Sequence, residues 1–584
     1  MRVCLLLVAA TVAAVAVRAV HPVGGEVFVS DVAGHRMSLV GNLSWVDAGP
    51  AFAGCSSATR ATICIDPTSK SARRQKIDGV GGSFLRSGAI VLNLMSPPQQ
   101  EKILEALFHP EKGAGFRLGK VPMTATDFMP KSYESADHFY TYEDERGAFS
   151  VRAELAVNGT IDYIRRAQAA AGRRILLEAP MDYVPAWMLN ATEVDPASPF
   201  VYASVNRTLF PRLASYFLDF AMQFKAHGAE LEYLCAWNEP SYFFPPNAPR
   251  TADNNHGSYQ VIDVEDIFAL HAQHVGPLFR RTAGAPKITW GAQYGRRGTW
   301  GRVFVGANNT PASSNNNYTA MMLRPEMLPY IDMIAAHGYD CADLTPGFLC
   351  QGNTSDAPRE QRRNASCQFL SGAVADLKKV YDALPASVSH RWITENCYAV
   401  EFGDWPRDNC PTLPLTYFED AMNWGRFHFG DFNAGATGTI YWNMILDRHG
   451  GPWNTAPRHN DPPGNYQHPL VIADWASDNF TLTGAYYAYA HFGRWATGKS
   501  RLWHERSPQL VPNADDLVSY GSNVYQMAFL SDDAGELVVV LMNDQWAPAE
   551  LDVVVAGGGA ARTARVTLPP VSLVTLRVPL AQQP

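Results

Sequence analysis

Apolar positions along the chain fall into two regimes, one in the middle and one shared by both ends. From about 78 to 490, short apolar runs alternate with longer stretches of helical periodicity. Eight runs have the length and bounding turn residues of buried strands: 79–84, 116–121, 175–179, 231–237, 287–292, 331–337, 391–395 and 437–443. Between them, 98–108, 157–171, 211–227, 264–281, 372–384 and 417–427 repeat apolar residues at helical spacing. Repeated strand–helix alternation predicts an α/β fold, a (β/α)8 TIM barrel. An open doubly wound sheet is the rival, but no Gly-x-Gly-x-x-Gly turn follows an early strand.

The two ends read differently. VFVSDV, MSLVGNLSWV and ATICID precede the barrel, and VYQMAFL, GELVVVLMN, ELDVVVAG, ARVTL and SLVTLRVPL follow it. These are strand-like runs separated by Gly, Pro and Asp turns. Neither end has enough strands to close a sandwich alone. The expectation is one β-sandwich domain built from both chain ends, 20–77 and 491–584, with the barrel of 78–490 inserted between them. The loops 299–320 and 340–367 are long and follow strands, which puts them at the mouth of such a barrel.

Composition narrows the compartment. Residues 1–19 have Arg2, an apolar run from Val3 to Val17, and small residues in Val17-Arg18-Ala19, the pattern of a secretory signal peptide. That run is shorter than the roughly 20 residues needed to span a bilayer, and no later segment suits a transmembrane helix. Nine Asn-x-Ser/Thr sequons, at Asn42, Asn158, Asn190, Asn206, Asn308, Asn317, Asn353, Asn364 and Asn479, agree with a glycoprotein of the secretory pathway. Cys55/Cys64 and Cys397/Cys410 are expected disulfide pairs, as are two of Cys341, Cys350 and Cys367, while Cys235 is expected as a buried thiol. No Cys/His spacing resembles a zinc site, so no metal or other cofactor is expected. The net charge of −8 argues against a nucleic-acid partner.

Chemistry concentrates at two strand ends. The fourth run, LEYLCAWNEP, stops in Asn238-Glu239-Pro240, and the seventh, RWITE, stops in Glu395. Barrel enzymes hold catalytic groups on the C-terminal tips of their strands, and two carboxylates across one pocket are the machinery for breaking a glycosidic bond. A separation of about 5 Å would serve a retaining reaction and about 6.5–9.5 Å an inverting one. In the retaining case Glu395 attacks the anomeric carbon and Glu239 acts as acid, then base. Burial is expected to raise the pKa of Glu239 and so separate the two roles. Asn238, beside the acid, can bond the sugar's 2-hydroxyl.

The ordered motifs IDGVGGSF, GKVPMTATDF, APMDYVPAWM, WNEPS, AHGY, ITEN and YWNMILDRHGGP resemble the glucosylceramidases of glycoside hydrolase family 30, the lysosomal acid β-glucosidase type. The resemblance implies a retaining hydrolase of glucosylceramide, with Glu239 as acid/base and Glu395 as nucleophile. It also implies Asp127, Trp442 and Asn443 at the glucose subsite and Tyr339 beside the nucleophile. The substrate would be met at a membrane surface, with room for a lipid or saposin-like activator, and an acid pH optimum is expected. Lys120 stands where the family usually has Arg, and Met181, His337-Gly338-Tyr339 and Trp453-Asn454 also depart from the family's pattern. Lys is a point donor that cannot fork two parallel bonds. Tyr242, Phe243, Phe244, Phe348 and Trp405 are candidates for an apolar mouth. The altered rim keeps another family 30 substrate open, a β-1,6-glucan, a xylan or another β-glycoside, and after that a non-catalytic glycan-binding barrel.

Overall fold

The computed structural model describes residues 20–49, 54–123, 126, 128, 140–190, 204–239, 264–293, 304–305, 310–311, 324–338, 374–397, 418, 420–448, 450–452, 469–510, 524–557 and 560–582. Eight parallel strands close into a barrel. In chain order they are β1 (Gly79–Ser83), β2 (Leu118–Lys120), β3 (Leu176–Pro180), β4 (Leu231–Cys235), β5 (Lys287–Gln293), β6 (Met333–His337), β7 (His390–Glu395) and β8 (Gly438–Tyr441). Each expected strand is present, its ends shifted by no more than two residues from the expected bounds. The ring closes by β8 pairing with β1, Gly438 opposite Gly79 and Tyr441 opposite Gly82. Gly81 and Gly119 are required where β1 and β2 run side by side. A Cβ on Gly81 would lie 1.8 Å from the Leu118 carbonyl oxygen, and one on Gly119 2.5 Å from the Phe84 ring.

Helices pack outside. Those described include Pro97–Phe108, Thr160–Ala171, Phe210–Ala226, Asp420–Ala434 and Gly484–Ala496. The helical stretch expected over 264–281 is continuous but not regular: Leu270–Val275 widens into a π-helix between two α-helical halves. The barrel interior is filled in layers from alternate positions. Leu118, Tyr233, Met333, Trp392 and Ile440 form an apolar floor. Two residues further along the same strands, the inward positions of β2 and β3 become Lys120 and Glu178, and those of β4 and β6 become Cys235 and Ala335. Polarity therefore rises toward the C-terminal ends. Cys235 is a buried free thiol, as expected.

Strands from both chain ends make two further sheets. One orders the strands Ser38–Asn42, Glu26–Asp31, Ser572–Gln582, Glu536–Asn543, Val524–Leu530, Ser500–Leu502 and Arg73–Lys76, and the other orders Glu505–Arg506, Thr62–Ile65, Ala549–Gly557, Ala560–Leu568 and Val46–Asp47. The strand Glu536–Asn543 explains its own sequence. Leu537, Val539 and Leu541 face the second sheet, while Val538, Val540 and Met542 face the barrel side. Both faces are covered, so the run LVVVLM has no alternation. Cys55 and Cys64 are disulfide-bonded beside this second core. Cys397 is buried, and its expected partner Cys410, with Cys341, Cys350 and Cys367, lies outside the described residues. Among the described residues no helix is long and apolar enough to cross a membrane.

Barrel and sandwich share polar contacts. His491, on the last helix, meets Thr575 Oγ1 at 2.8 Å through Nδ1 and Ser30 Oγ at 3.0 Å through Nε2, while Arg426 pairs with Asp544 at 2.7 Å. Burial pushes His491 and His504 down to about 3 and His271 to about 4, from an ordinary 6.5. A histidine held neutral in the fold gains a proton first in the unfolded chain. Its stabilisation is therefore complete above about pH 6.5 and drains away as pH falls toward 3–4. Between pH 7 and 5 the loss is on the order of 2 kcal/mol for each. His491→Gln keeps a donor and an acceptor but cannot titrate. Thermal unfolding at the two pH values should therefore show a smaller fall in Tm for the variant than for the native protein. An equal fall would remove His491 from the account.

Candidate active site

The catalytic candidates sit where the strand ladder breaks. Beyond β4 the chain runs through buried Ala236, Trp237 and Asn238 to Glu239, which has φ of 46°. A left-handed conformation is unfavourable for a glutamate and survives only where its surroundings enforce it. Here the Glu239 amide donates to the Ala292 carbonyl at 2.9 Å. Ala292 is itself left-handed at φ 56°, at the slip between β5 and β6. Two kinked strand ends thus brace each other and turn Glu239 out of the ladder. Glu395 ends β7, where a second slip sets His337 opposite it and its carbonyl accepts the Gly338 amide at 2.9 Å.

These turns bring three side chains from β4, β6 and β7 together. An oxygen of Glu239, a ring nitrogen of His337 and an oxygen of Glu395 all lie within 4.8 Å of one another. Both carboxylates are largely but not wholly buried, Glu239 8% and Glu395 6% exposed. His337 Nδ1 lies 2.7 Å from Glu239 Oε1, and its Nε2 lies 3.8 Å from Glu395 Oε2. Burial, helped by the Lys120 charge, holds the imidazole well below its ordinary pKa. The ring is neutral at working pH and meets Glu239 as acceptor or donor according to its tautomer.

Lys120, the last residue of β2, is fully buried. Its ammonium pairs with Glu395 Oε2 and donates to Asn238 Oδ1 at 3.1 Å. It also stands 4.7 Å from the centre of the Trp442 ring. Burial alone would pull this lysine down. The charges of Glu395, Asp182 and Glu178 outweigh that and leave it above the ordinary lysine value. Where an arginine would fork, the lysine divides its donors between a carboxylate and an amide.

Of the residues expected at the site, Glu239, Glu395, Asn238, Lys120 and Trp442 are brought into one cluster. Asn443 follows Trp442 beyond β8. It is fully buried, and neither atom of its amide has a hydrogen-bond partner. Asp127 and Tyr339 lie outside the described residues, as do Tyr242, Phe243, Phe244, Phe348 and Trp405. Phe128, next to Asp127, packs edge-on against Trp442 with ring centres 6.2 Å apart. Two further residues join the site without a role expected from sequence, His337 and Glu178. His337 stands out in the sequence only as a departure from the family pattern, although it too ends a strand. Glu178 sits inside the apolar run ILLEAP, and an acid in an otherwise buried strand was the available signal.

Residues 77–246 match the glycosyl hydrolase family 30 TIM-barrel domain. That segment carries β1 to β4 and Glu239. Over that segment the chain is similar to the glycoside hydrolases of family 30. The lysosomal acid glucosylceramidase of Mus musculus is 22% identical over 485 residues, 80% of this chain and 75% of that protein. Putative glucosylceramidase 1 of Caenorhabditis elegans is 22% identical over 521 residues, 88% and 82% of the two chains. Putative glucosylceramidase 4 of the same organism is 27% identical over 176 residues, 30% of this chain and 32% of that one. Among solved structures, SrfJ from Salmonella typhimurium superposes with a TM-score of 0.67 at 19% identity, covering 96% of this chain and 100% of that one. An endo-β1,6-glucanase superposes at 0.65 and 17% identity, covering 95% and 99%. At these identities the solved structures speak for the fold alone, a barrel with accompanying sheets.

Proposed function

We propose that this chain is a family 30 glycoside hydrolase, a retaining β-glucosidase acting on glucosylceramide. The observation that carries the retaining mechanism is the approach of Glu239 and Glu395 to within 4.8 Å. That suits direct attack by one carboxylate, where about 6.5–9.5 Å would be needed to seat a water between carboxyl and sugar. Glu395, steadied as an anion by Lys120, is the nucleophile. Glu239 is the acid/base, and the neutral His337 serves it in both protonation states. With its oxygen held by Lys120, Asn238 offers its NH2 edge to the 2-hydroxyl, and Trp442 offers an indole face to the sugar's C–H surface. Asp127, Tyr339 and Asn443 complete the glucose subsite in this reading.

Glucosylceramide is favoured over a polysaccharide by the names of the relatives that match across most of the chain. The second reading, a β-glucan or xylan substrate, draws on the barrel's likeness to the β1,6-glucanase. A panel of glucosylceramide in anionic vesicles, galactosylceramide, β-1,6-glucan and xylan separates them. Release of glucose from the first at the highest kcat/KM is the expected result. Turnover confined to a soluble glycan gives the second reading the site. Entry into the secretory pathway belongs to the same proposal, and it predicts a mature chain beginning near residue 20 with glycans on its sequons.

A further inference from the structure

Beneath the two carboxylates lies a third. Glu178 points inward from β3, directly in register with Lys120 on β2, and is fully buried. Neither of its oxygens has a hydrogen-bond partner. Leaving both oxygens of a shut-away carboxyl unbonded is costly if the group is ionised and much less so if it is neutral. The nearest cation, Lys120, spends its donors on Glu395 and Asn238 instead. One ammonium thus lies between two carboxyl groups, Glu395 at the site and Glu178 in the layer below.

We propose that Glu178 is a positioning residue for the nucleophile. While it carries its proton it leaves the Lys120 ammonium to Glu395, and when it ionises it draws that ammonium away. The inference rests on the roles given above to Glu395 and Glu239. Every element around Glu178 bears on the switch. β2 supplies Lys120, β4 supplies the Cys235 thiol, β7 supplies Glu395, and Asp182 lies just beyond β3's own end. Tyr233 stands opposite Glu178 in register on β4, and His337 is at the tip of β6. Burial pushes the Cys235 and Tyr233 groups upward and the His337 ring downward, so all three stay uncharged across neutrality. Burial pushes the Glu178 carboxyl up to about 7, with Lys120 pulling it back and Glu395 adding to the rise. Lys120 is therefore the one cation for which Glu178 and Glu395 compete among the described residues, and the proton on Glu178 decides which of them holds it. Raising the pH removes that proton to solvent. Glu395 then loses its counter-ion and faces a second negative charge.

Infrared titration of the full chain tests this without any substrate. A protonated-carboxyl band should vanish across neutrality and be absent from Glu178→Gln. The Glu395 carboxylate band, assigned by its loss in Glu395→Gln, should shift with the same midpoint in the native chain and stay fixed in Glu178→Gln. Kinetics on an aryl β-glycoside give the second readout. The alkaline limb of log kcat/KM should fall with a slope near two in the native enzyme, one proton from Glu239 and one from Glu178. In Glu178→Gln the slope should be near one, with relative activity one unit above the Glu178 midpoint about tenfold higher than native. Glu178→Met, apolar and of similar length, is made in parallel and should show the same gentler limb. A Glu178 that is already ionised at acid pH, or an alkaline limb unchanged in both variants, overturns the proposal. A chain that cleaves no glycoside defeats the proposed activity, and the infrared bands then judge the switch alone.

Discussion

Glu395→Gln is expected to lower kcat/KM on an aryl β-glucoside by on the order of 10⁴-fold or more, because an amide cannot form the glycosyl ester. The fold should survive. Removing one member of a buried pair is usually destabilising, since the other charge is left alone. Lys120, however, is also faced by Asp182 and Glu178, so a carboxylate remains at hand. Circular dichroism should show a cooperative melt for the variant. Glu395→Gly with azide supplies the stereochemical check. Azide entering where the carboxylate stood attacks from the face opposite the leaving group and yields the α-glycosyl azide. A β-azide from that variant would exchange the roles given to the two glutamates.

Glu239→Gly should separate the two chemical steps. Losing the general acid is expected to slow cleavage of poor leaving groups by on the order of 10²–10⁴-fold, and to spare first-step rates with a dinitrophenyl leaving group. The glycosyl-enzyme then accumulates, because no base remains to activate water. Azide, which needs no base, should restore turnover and give the β-glycosyl azide. Glycine is chosen for the backbone as well as the chemistry. Position 239 is left-handed at φ 46°, a conformation glycine adopts without penalty. Thermal stability should therefore hold or rise slightly. A marked loss of Tm would mean that the His337 contact, at 2.7 Å, anchors the strand end.

What was readable in advance depended on how local the signal was. Each barrel strand announced itself because a strand buried on both faces is a short apolar run with turn residues at its ends. The same holds for LVVVLM in the sandwich, covered on one side by the second sheet and on the other by the barrel helices. The strand tips Glu239 and Glu395 stood out because two buried runs close in the same way, each on a glutamate. His337 and Glu178 did not stand out. A histidine in AAHGY and a glutamate in ILLEAP have ordinary explanations until their neighbours across the barrel are known. The irregular turn in 264–281 was equally hidden, since a single widened turn inside a helix shifts the apolar spacing over too few residues to break the pattern.

The sequence by itself determined the alternation of strands and helices, the pairing of the two chain ends into one sandwich, and the identity of the two acids that terminate β4 and β7. These follow from periodicity and from side-chain type, which act over a few residues. Only the tertiary structure decided how far apart those acids stand, that a neutral imidazole lies against them, and that a single lysine is contested by a carboxyl in the layer beneath. Those properties arise from register slips between strands and from the loss of water around charges. Both are set by groups distant in the chain, so no local stretch of residues encodes them.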